Sequence, residues 1–339
     1  MRIGILTGGG DCPGLNPAIR GAFMKAMDYG DELFGVMEGW KGMIHGDMRK
    51  LTINDVEEIV SKGGTILGTS RTNPFKKAEV DVPMVLENMK KIDALIAIGG
   101  EDTLGVASKL YQQYGTNVVG VPKTMDNDLS CTDYTFGFDT SVTVAVDALE
   151  RLRDTGRSHR RIMVLEVMGR HAGWVALFTG IAGGADWILI PEVEPDIEKM
   201  CEHLKLVKQR KNYGIVVVSE GTKFSELEGE QEVDAFGHII LKEKGIGEYT
   251  AKIIEEKTGI ETRVAVIGHI QRGGAPTLFD RMLGTRVGVK AVELIHEGKF
   301  GQMACLSGNE ITSAPLETAT STLKTVGQEW WSLAQVMFK

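Results

Sequence analysis

Short apolar runs separated by longer amphipathic stretches are the feature of this sequence that most constrains its fold. The runs are rich in β-branched residues, and glycine, an acidic residue or proline follows most of them: 3–6, 95–98, 118–121, 162–167, 188–190, 215–218 and 264–267. They are too short for helices, whereas amphipathic stretches such as 84–91 and 140–153 lie between them. This alternation is typical of parallel strands joined by crossover helices. The sequence therefore predicts an α/β, doubly wound fold.

The chain is long enough for two lobes. It has 339 residues, and single hydrophobic cores stop growing at about 250–300 residues. Its 42% hydrophobic and 25% charged content is that of a globular protein. We therefore expect two closely packed lobes. The polar stretch 224–238, which is rich in Glu and Gly, is predicted to be a surface loop or hairpin.

Charge and cysteine usage exclude several classes of partner. A net charge of -8 argues against non-specific binding to nucleic acid or to an anionic membrane surface. No apolar run is long enough for a membrane span, and the first residues contain no secretory signal, so we expect a cytoplasmic location and no membrane partner. The cysteines, at positions 12, 131, 201 and 305, are too scattered to suggest a disulfide framework or a zinc site.

A glycine-rich turn, 7–16, follows the first apolar run and precedes the helical stretch 17–28. Glycines such as Gly10 allow the backbone to approach a ligand closely, and amides at a helix start suit phosphate. A tight strand-to-helix turn with no ligand explains this stretch equally well. It is not a Walker A loop, because the Gly-Lys-Ser/Thr ending is missing, and the glycine spacing also differs from the dinucleotide-binding fingerprint.

Two further turns carry acidic residues. In the turn 99–105, Glu101 and Asp102 could hold Mg²⁺ together with phosphate oxygens, although acids are also common at a helix start for electrostatic reasons alone. The turn 122–128 holds Lys123, Thr124, Asp126 and Asp128, which would supply a phosphate anchor, a hydrogen-bond donor and a candidate general base. An Asx turn is the alternative for this loop taken alone.

Taken together, these stretches resemble the phosphofructokinase family. The likeness runs from residue 3 to about residue 286, in order and at the family's spacing, through 8–16, 64–71, 99–103, 122–128, 137–140, 166–173 and 268–276. The resemblance implies two similar Rossmann-like lobes. The donor lobe would comprise 1–137 plus about 270–320, and the fructose 6-phosphate lobe 138–269 plus the C-terminal segment.

The resemblance also implies roles for residues around the transferred phosphoryl group. Asp126 would be the general base that takes the proton from the C1 hydroxyl of fructose 6-phosphate, and Asp128 would support it. Thr124 would contact the transferred group, and the Gly10 amide would contact the donor phosphate. Arg71 would stabilise the negative charge on the phosphoryl group during its transfer.

The metal position and the sugar-phosphate site follow from the same resemblance. Glu101 matches the Mg²⁺-binding acid, which is Asp in many members. The sugar phosphate would be held within one subunit by Met168, Gly169, Arg170, Glu220, His269 and Arg272, with Arg170 also catalytic. Arg161 and Arg263 would reach it from the neighbouring subunit, so a homodimer or homotetramer with shared active sites is expected. Taken singly, most of these residues have an ordinary structural explanation: arginines are usually on the surface and Met168 could fill core.

Two positions bear on the phosphoryl donor. ATP-dependent bacterial members typically have glycine where this chain has Asp102 and Lys123. The Asp102 carboxylate, if it lay about 4 Å from the α-phosphate of bound ATP, would repel that phosphate by roughly 4 kcal/mol at an effective dielectric of about 20. The Lys123 ammonium, in contrast, could bind the distal phosphate of a compact donor. The whole chain also resembles the short pyrophosphate-using group of the family. The sequence therefore favours pyrophosphate, and the preference depends most on Asp102.

The predicted function is reversible, Mg²⁺-dependent phosphorylation of fructose 6-phosphate by pyrophosphate, a step of glycolysis and gluconeogenesis. The same chemistry with ATP is the first alternative. A non-catalytic regulatory subunit that binds sugar phosphate is a distant one, because degenerate members would be expected to lose Asp126, Asp128 or Arg170, and all of these are present.

Overall fold

A computed structural model describes residues 1–224 and 245–338. Its strands are β1 (Arg2–Thr7), β2 (Glu32–Val36), β3 (Met48–Lys50), β4 (Ala94–Gly99), β5 (Val118–Pro122), β6 (Ile162–Val167), β7 (Trp187–Leu189), β8 (Gly214–Ser219), β9 (Thr262–Val266), β10 (Gln302–Ser307) and β11 (Glu310–Pro315). Every predicted run overlaps a strand, although β7 and β9 begin and end slightly earlier than predicted. Of the predicted loop 224–238, only Phe224 lies within the described residues.

Helices connect most of these strands. They are α1 (Leu15–Asp28), α2 (Trp40–His45), α3 (Ile53–Val56), α4 (Ala78–Met89), α5 (Glu101–Tyr114), α6 (Phe138–His159), α7 (Trp174–Gly183), α8 (Ile197–Lys211), α9 (Ile246–Thr258), α10 (Leu278–His296), α11 (Leu316–Ser321) and α12 (Gln328–Met337), with 3₁₀ turns at Pro74–Lys77 and Gly268–Arg272. In the part of the chain that the structure describes, no helix is both long and apolar enough to cross a bilayer.

The strands form two sheets. The larger has the order β11-β10-β5-β4-β1-β2-β3, and the smaller has the order β7-β8-β6-β9. All neighbours in the smaller sheet are parallel, as are the inner pairs of the larger sheet. The α/β prediction is confirmed. The antiparallel edges formed by β3 and β11 were not predicted, because short half-exposed strands carry little apolar signal.

Helices cover both faces of the larger sheet, which explains its uninterrupted apolar runs. Every position of β4 is buried. Ile96 and Ile98 belong to the core cluster that contains α1 and α10, whereas Leu95 and Ala97 belong to the cluster on the other face, with α4 and α5. The strands of the larger sheet lie within 1–137 and 270–320 and those of the smaller within 138–269. The lobe boundaries themselves stay a prediction.

Close packing between α1 and α10 brings two distant turns together. A Cβ at Gly21 would lie 2.5 Å from the Thr285 carbonyl oxygen, and a Cβ at Gly288 would lie 2.2 Å from the Ala18 carbonyl oxygen. Glycine at these positions lets the helix backbones touch. Because α1 follows the first glycine turn and α10 follows the Gly268–Arg272 turn, their contact sets the distance between those turns.

Candidate active site

Loops that follow β1, β4, β5, β6 and β8 converge on one cleft of about 370 Å³. In sheets of parallel strands, ligands bind beyond the carboxyl ends of the strands. The predicted site residues that line this cleft are Gly10, Arg71, Glu101, Asp102, Lys123, Thr124, Asp126, Asp128, Met168, Arg170, Glu220, His269 and Arg272. Residues from positions 10 to 272 are therefore collected around a single cavity.

The acidic loop after β5 is held in a tight turn. The Asp126 backbone N–H donates to Thr124 Oγ1 at 3.1 Å. Asn127 has a left-handed φ of 51°, which asparagine tolerates better than most residues, and its Oδ1 accepts from the Thr135 N–H at 3.1 Å. This turn allows Asp126 and Asp128, on either side of Asn127, both to line the cleft.

Asp126 has the electrostatic environment of a general base. Burial, and secondly the charge of Asp128, raise the pKa of Asp126 to about 7, while Arg272 and Arg170 oppose the shift. Its Oδ1 is buried and has no hydrogen-bond partner among the residues that the structure describes. A carboxylate with a pKa near neutrality and an unused acceptor is suited to taking a proton from a bound hydroxyl.

Lys123 connects three of the turns. Its backbone N–H donates to the Gly99 carbonyl oxygen at 2.9 Å, at the end of β4. Its side chain is buried, and Nζ donates to the Gly10 carbonyl oxygen. Burial lowers the pKa of the Lys123 ammonium. The lysine lines the cleft as predicted, and it also fixes the first glycine turn.

Arg272 brings the last turn against the first. Its Nη1 donates to the Asp11 carbonyl oxygen at 3.1 Å. A Cβ at Gly10 would lie only 2.6 Å from that same Nη1. Glycine at position 10 therefore leaves room for the guanidinium beside the backbone of the glycine turn.

Glu101 and Asp102 begin α5, and both are half-buried. Thr103 lies beneath them, where a Cβ at Gly8 or Gly99 would collide with its side chain. Glu101 and Asp102 line the cleft and also an adjoining cavity of about 390 Å³, which Ser108 and Lys109 help to form. Both acidic residues therefore lie at the boundary between two cavities.

The loop after β6 is joined to the turn before α10 by a residue for which the sequence predicts no role. Gln271 is fully buried. Its Oε1 accepts from the Met168 N–H at 2.8 Å, and its Nε2 donates to Ser141 Oγ at 3.0 Å. Its place between His269 and Arg272 in the sequence is the one indication that Gln271 lies near the site, but only the fold shows its hydrogen-bond partners.

Glu220 and Arg170 are neighbours through the backbone. Gly169 has a φ of 136°, and its carbonyl oxygen accepts from the Gly221 N–H at 3.2 Å. A Cβ at Gly221 would lie 2.0 Å from the Arg170 carbonyl oxygen, so only glycine fits there. Burial raises the pKa of Glu220. Gly169 shapes the cleft through its backbone and is not itself among the residues that line it, whereas His171, which had no assigned role, is.

Arg161 and Arg263 lie away from the cleft of their own chain. Arg161 Nε is 2.7 Å from Glu261 Oε2, and Arg263 Nη2 is 2.5 Å from Glu261 Oε1. Arg161 immediately precedes β6 and Arg263 is the second residue of β9, whereas the cleft lies at the other ends of the strands. Within one chain these arginines therefore do not join the predicted site.

Comparison with known proteins gives one family. The family model named phosphofructokinase matches residues 2–295. A protein of Dictyoglomus thermophilum named pyrophosphate–fructose 6-phosphate 1-phosphotransferase is 53% identical over 100% of this chain and 99% of its own. A Corynebacterium efficiens protein named ATP-dependent 6-phosphofructokinase is 47% identical over 100% and 99%. The crystal structure of Pichia pastoris phosphofructokinase in the T-state matches with a TM-score of 0.83 and 30% identity, covering 99% of this chain and 36% of that one.

Proposed function

This chain belongs to the phosphofructokinase family, and from that premise we propose that it transfers a phosphoryl group from pyrophosphate to the C1 hydroxyl of fructose 6-phosphate. The products are fructose 1,6-bisphosphate and phosphate, and the reaction is reversible. The observation that carries the choice of donor is the position of Asp102, which lines both the cleft and the adjoining cavity. Full-length relatives at 48–53% identity whose names give pyrophosphate as a substrate support it.

The side chains divide the chemistry between a base and a set of cations. Asp126 takes the proton from the C1 hydroxyl, whose oxygen then attacks the nearer phosphorus of pyrophosphate while the bridging P–O bond breaks. Thr124 and the Gly10 amide contact the phosphoryl group. Arg71 and Arg170 line the same cleft and stabilise its negative charge, which is the main source of rate in phosphoryl transfer.

The cleft also suits Mg²⁺. The structure shows no set of three or more His, Cys, Asp or Glu side chains that could enclose an ion within residues 1–224 and 245–338. Mg²⁺ is usually bound by one or two carboxylates plus substrate phosphate oxygens, and the Glu101 carboxylate at the cleft wall matches that donor set. Glu101 would hold the ion, which when bound neutralises charge on the phosphates.

ATP is the alternative donor, because relatives at 46–47% identity are named for it. The adjoining cavity of about 390 Å³ also offers space for the part of a nucleotide that extends beyond the cleft. Turnover is to be measured with pyrophosphate and with ATP at equal Mg²⁺. We expect kcat/KM to be about 1,000-fold higher with pyrophosphate, as the repulsion of about 4 kcal/mol at Asp102 implies. Activity with ATP alone would contradict the proposal.

A purely regulatory subunit is disfavoured by the arrangement of the cleft. Asp126, Asp128 and Arg170 line it together, and the raised pKa of Asp126 suits a catalytic group. The cytoplasmic location and the lobe boundaries remain predictions from the sequence.

We also propose that the active sites are completed between subunits of a homodimer or homotetramer. Arg161 and Arg263 lie far from their own cleft and would reach that of a neighbour. Apolar side chains close to β9 and at the start of α10 are exposed and would be covered in such an assembly: Val266, Ile270, Leu278, Phe279 and Met282. Exposed apolar patches commonly mark an interface.

Shared sites predict complementation between two defective variants. Arg161→Ala should raise the KM for fructose 6-phosphate, and Asp126→Asn should retain little turnover. When subunits of the two variants are unfolded together and refolded as a mixture, activity should return. Some sites then combine an intact Asp126 from the Arg161→Ala subunit with an intact Arg161 from the Asp126→Asn subunit. Activity should be compared with that of each variant refolded alone. A mixture no more active than the Arg161→Ala variant would contradict shared sites.

A further inference from the structure

The C-terminal segment between α11 and α12 crosses the acidic loop. The Lys324 backbone N–H donates to the Asp128 carbonyl oxygen at 2.7 Å. The Lys324 carbonyl oxygen accepts from Trp174 Nε1 at 2.8 Å, and Trp174 begins α7, directly after the sugar-phosphate loop 168–173. A single residue near the end of the chain therefore contacts both the acidic loop and the helix that follows the sugar-phosphate loop.

The Lys324 side chain is committed to the same loop. Its Nζ donates to Asn127 Oδ1 at 3.1 Å, to the Thr132 carbonyl oxygen at 2.9 Å and to the Asp133 carbonyl oxygen at 2.8 Å. A lysine ammonium has three donors, so all of them are used. Its charge is placed near the carboxylates of Asp128 and Asp133 and 5.8 Å from the centre of the Trp174 indole.

Asn127 is the residue through which this contact reaches the proposed base. It lies between Asp126 and Asp128 in the left-handed conformation. Its Oδ1 accepts from both Lys324 Nζ and the Thr135 N–H, and Thr135 Oγ1 in turn donates to the Thr124 carbonyl oxygen at 2.6 Å. Lys324 is thus part of a hydrogen-bond network that sets the backbone on both sides of Asp126.

Placing an ammonium group here has an energetic cost. Burial lowers the pKa of Lys324 to about 8, although Asp133 and Asp128 oppose the shift. Within the described residues, most lysines that form ion pairs do so on the surface, as Lys299 does with Glu297. The network, and not surface solvation, therefore accounts for the position of the Lys324 head group.

We propose that Lys324 is a positioning residue for catalysis: its ammonium holds Asn127, and so keeps Asp126 aligned with the hydroxyl that it deprotonates. This inference depends on the proposed function for its kinetic consequence alone. The geometric part, that Lys324 rigidifies the loop 126–135, can be tested whatever the reaction is.

Lys324→Met, which keeps the length of the side chain but removes the charge and the donors, is the principal variant. We expect kcat to fall about 10–100-fold while the KM values for both substrates stay unchanged, because the ligand-binding groups remain. Hydrogen exchange at the Thr135 amide should become about 10-fold faster, as loss of a charged hydrogen bond implies. Lys299→Met is the matched control and should behave as the wild type in both measurements.

Lys324→Gln, which keeps an uncharged donor, is made in parallel. If the methionine variant does not fold, kcat and hydrogen exchange of the glutamine variant test the proposal instead. Unchanged kcat with unchanged exchange at Thr135 would overturn the proposal, as would a rise of both KM values together with a fall in melting temperature, which indicates general loss of structure. If the wild type turns over neither donor, the proposed function fails, and the exchange measurement still decides whether Lys324 holds the loop.

Discussion

Asp126→Asn is expected to lower kcat by about 10²–10⁴-fold, the usual contribution of a general base. Asparagine has nearly the same shape but does not accept the proton of the C1 hydroxyl. Binding of fructose 6-phosphate, measured by calorimetry, should remain largely intact, because Arg170, His269 and Arg272 are unchanged. Retained turnover would refute the assignment of the base.

The pH dependence offers an independent check of the same residue. Because the pKa of Asp126 is about 7, the wild-type kcat/KM should rise with pH through about 7 as the carboxylate forms. The residual activity of Asp126→Asn should lack this rise. Asp128 should be compared in the same way, since Asp128→Asn would move the rise to lower pH by removing one of the causes of the raised pKa.

Stability should change in the opposite sense to activity. A carboxyl group whose pKa is raised on folding binds more protons in the native state than in the unfolded state between its unfolded and folded pKa values. Burial of Asp126 therefore lowers the free energy of unfolding as pH increases from about 4 to about 7. Asp126→Asn should raise the melting temperature at pH 8 more than at pH 4. An equal effect at both pH values would contradict the burial of a titrating carboxyl group.

Removing the Asp102 carboxylate should change the donor preference. The estimated repulsion of about 4 kcal/mol corresponds to about three powers of ten in affinity. Asp102→Gly should therefore lower the KM for ATP by up to about 1,000-fold, and the KM for pyrophosphate should change much less. Steady-state kinetics with both donors at fixed Mg²⁺ would measure this.

A second variant separates charge from size at this position. Asp102→Asn retains the volume of the side chain but not its charge, so it should recover most of the gain for ATP if repulsion is the cause. If only Asp102→Gly improves ATP use, bulk at the boundary of the two cavities is responsible. If neither variant alters the KM for ATP, the donor preference does not depend on Asp102.

Much of the candidate site could be predicted because its parts are local. The residues concerned follow closely after a buried strand, in a turn or at the start of a helix, and such segments of a parallel sheet share one edge: Gly10, Glu101, Asp102, Lys123, Thr124, Asp126 and Asp128. The resemblance to the phosphofructokinase family added Met168, Arg170, Glu220, His269 and Arg272, and the structure places all of these at the same cleft. The roles themselves stay predictions.

Contacts between segments far apart in the chain could not be predicted from the sequence. Gln271 is a polar residue within a recognised stretch, yet its partners Met168 and Ser141 lie more than 100 positions away. Lys324 lies beyond the stretch that resembles the family, and its surroundings in the sequence are ordinary. Asp102 was predicted at a donor site, but the cavity on its far side became visible only in the structure.

The sequence by itself determined the α/β class, the alternation of buried strands and helices, and the turns that carry the acids and glycines, because periodicity and turn chemistry are properties of neighbouring residues. The tertiary structure decided which of those turns meet, how deeply Asp126 is buried and which side chains hold it. Burial and hydrogen bonding between distant segments depend on how helices such as α1 and α10 pack. No pattern of neighbouring residues encodes the distance between those helices.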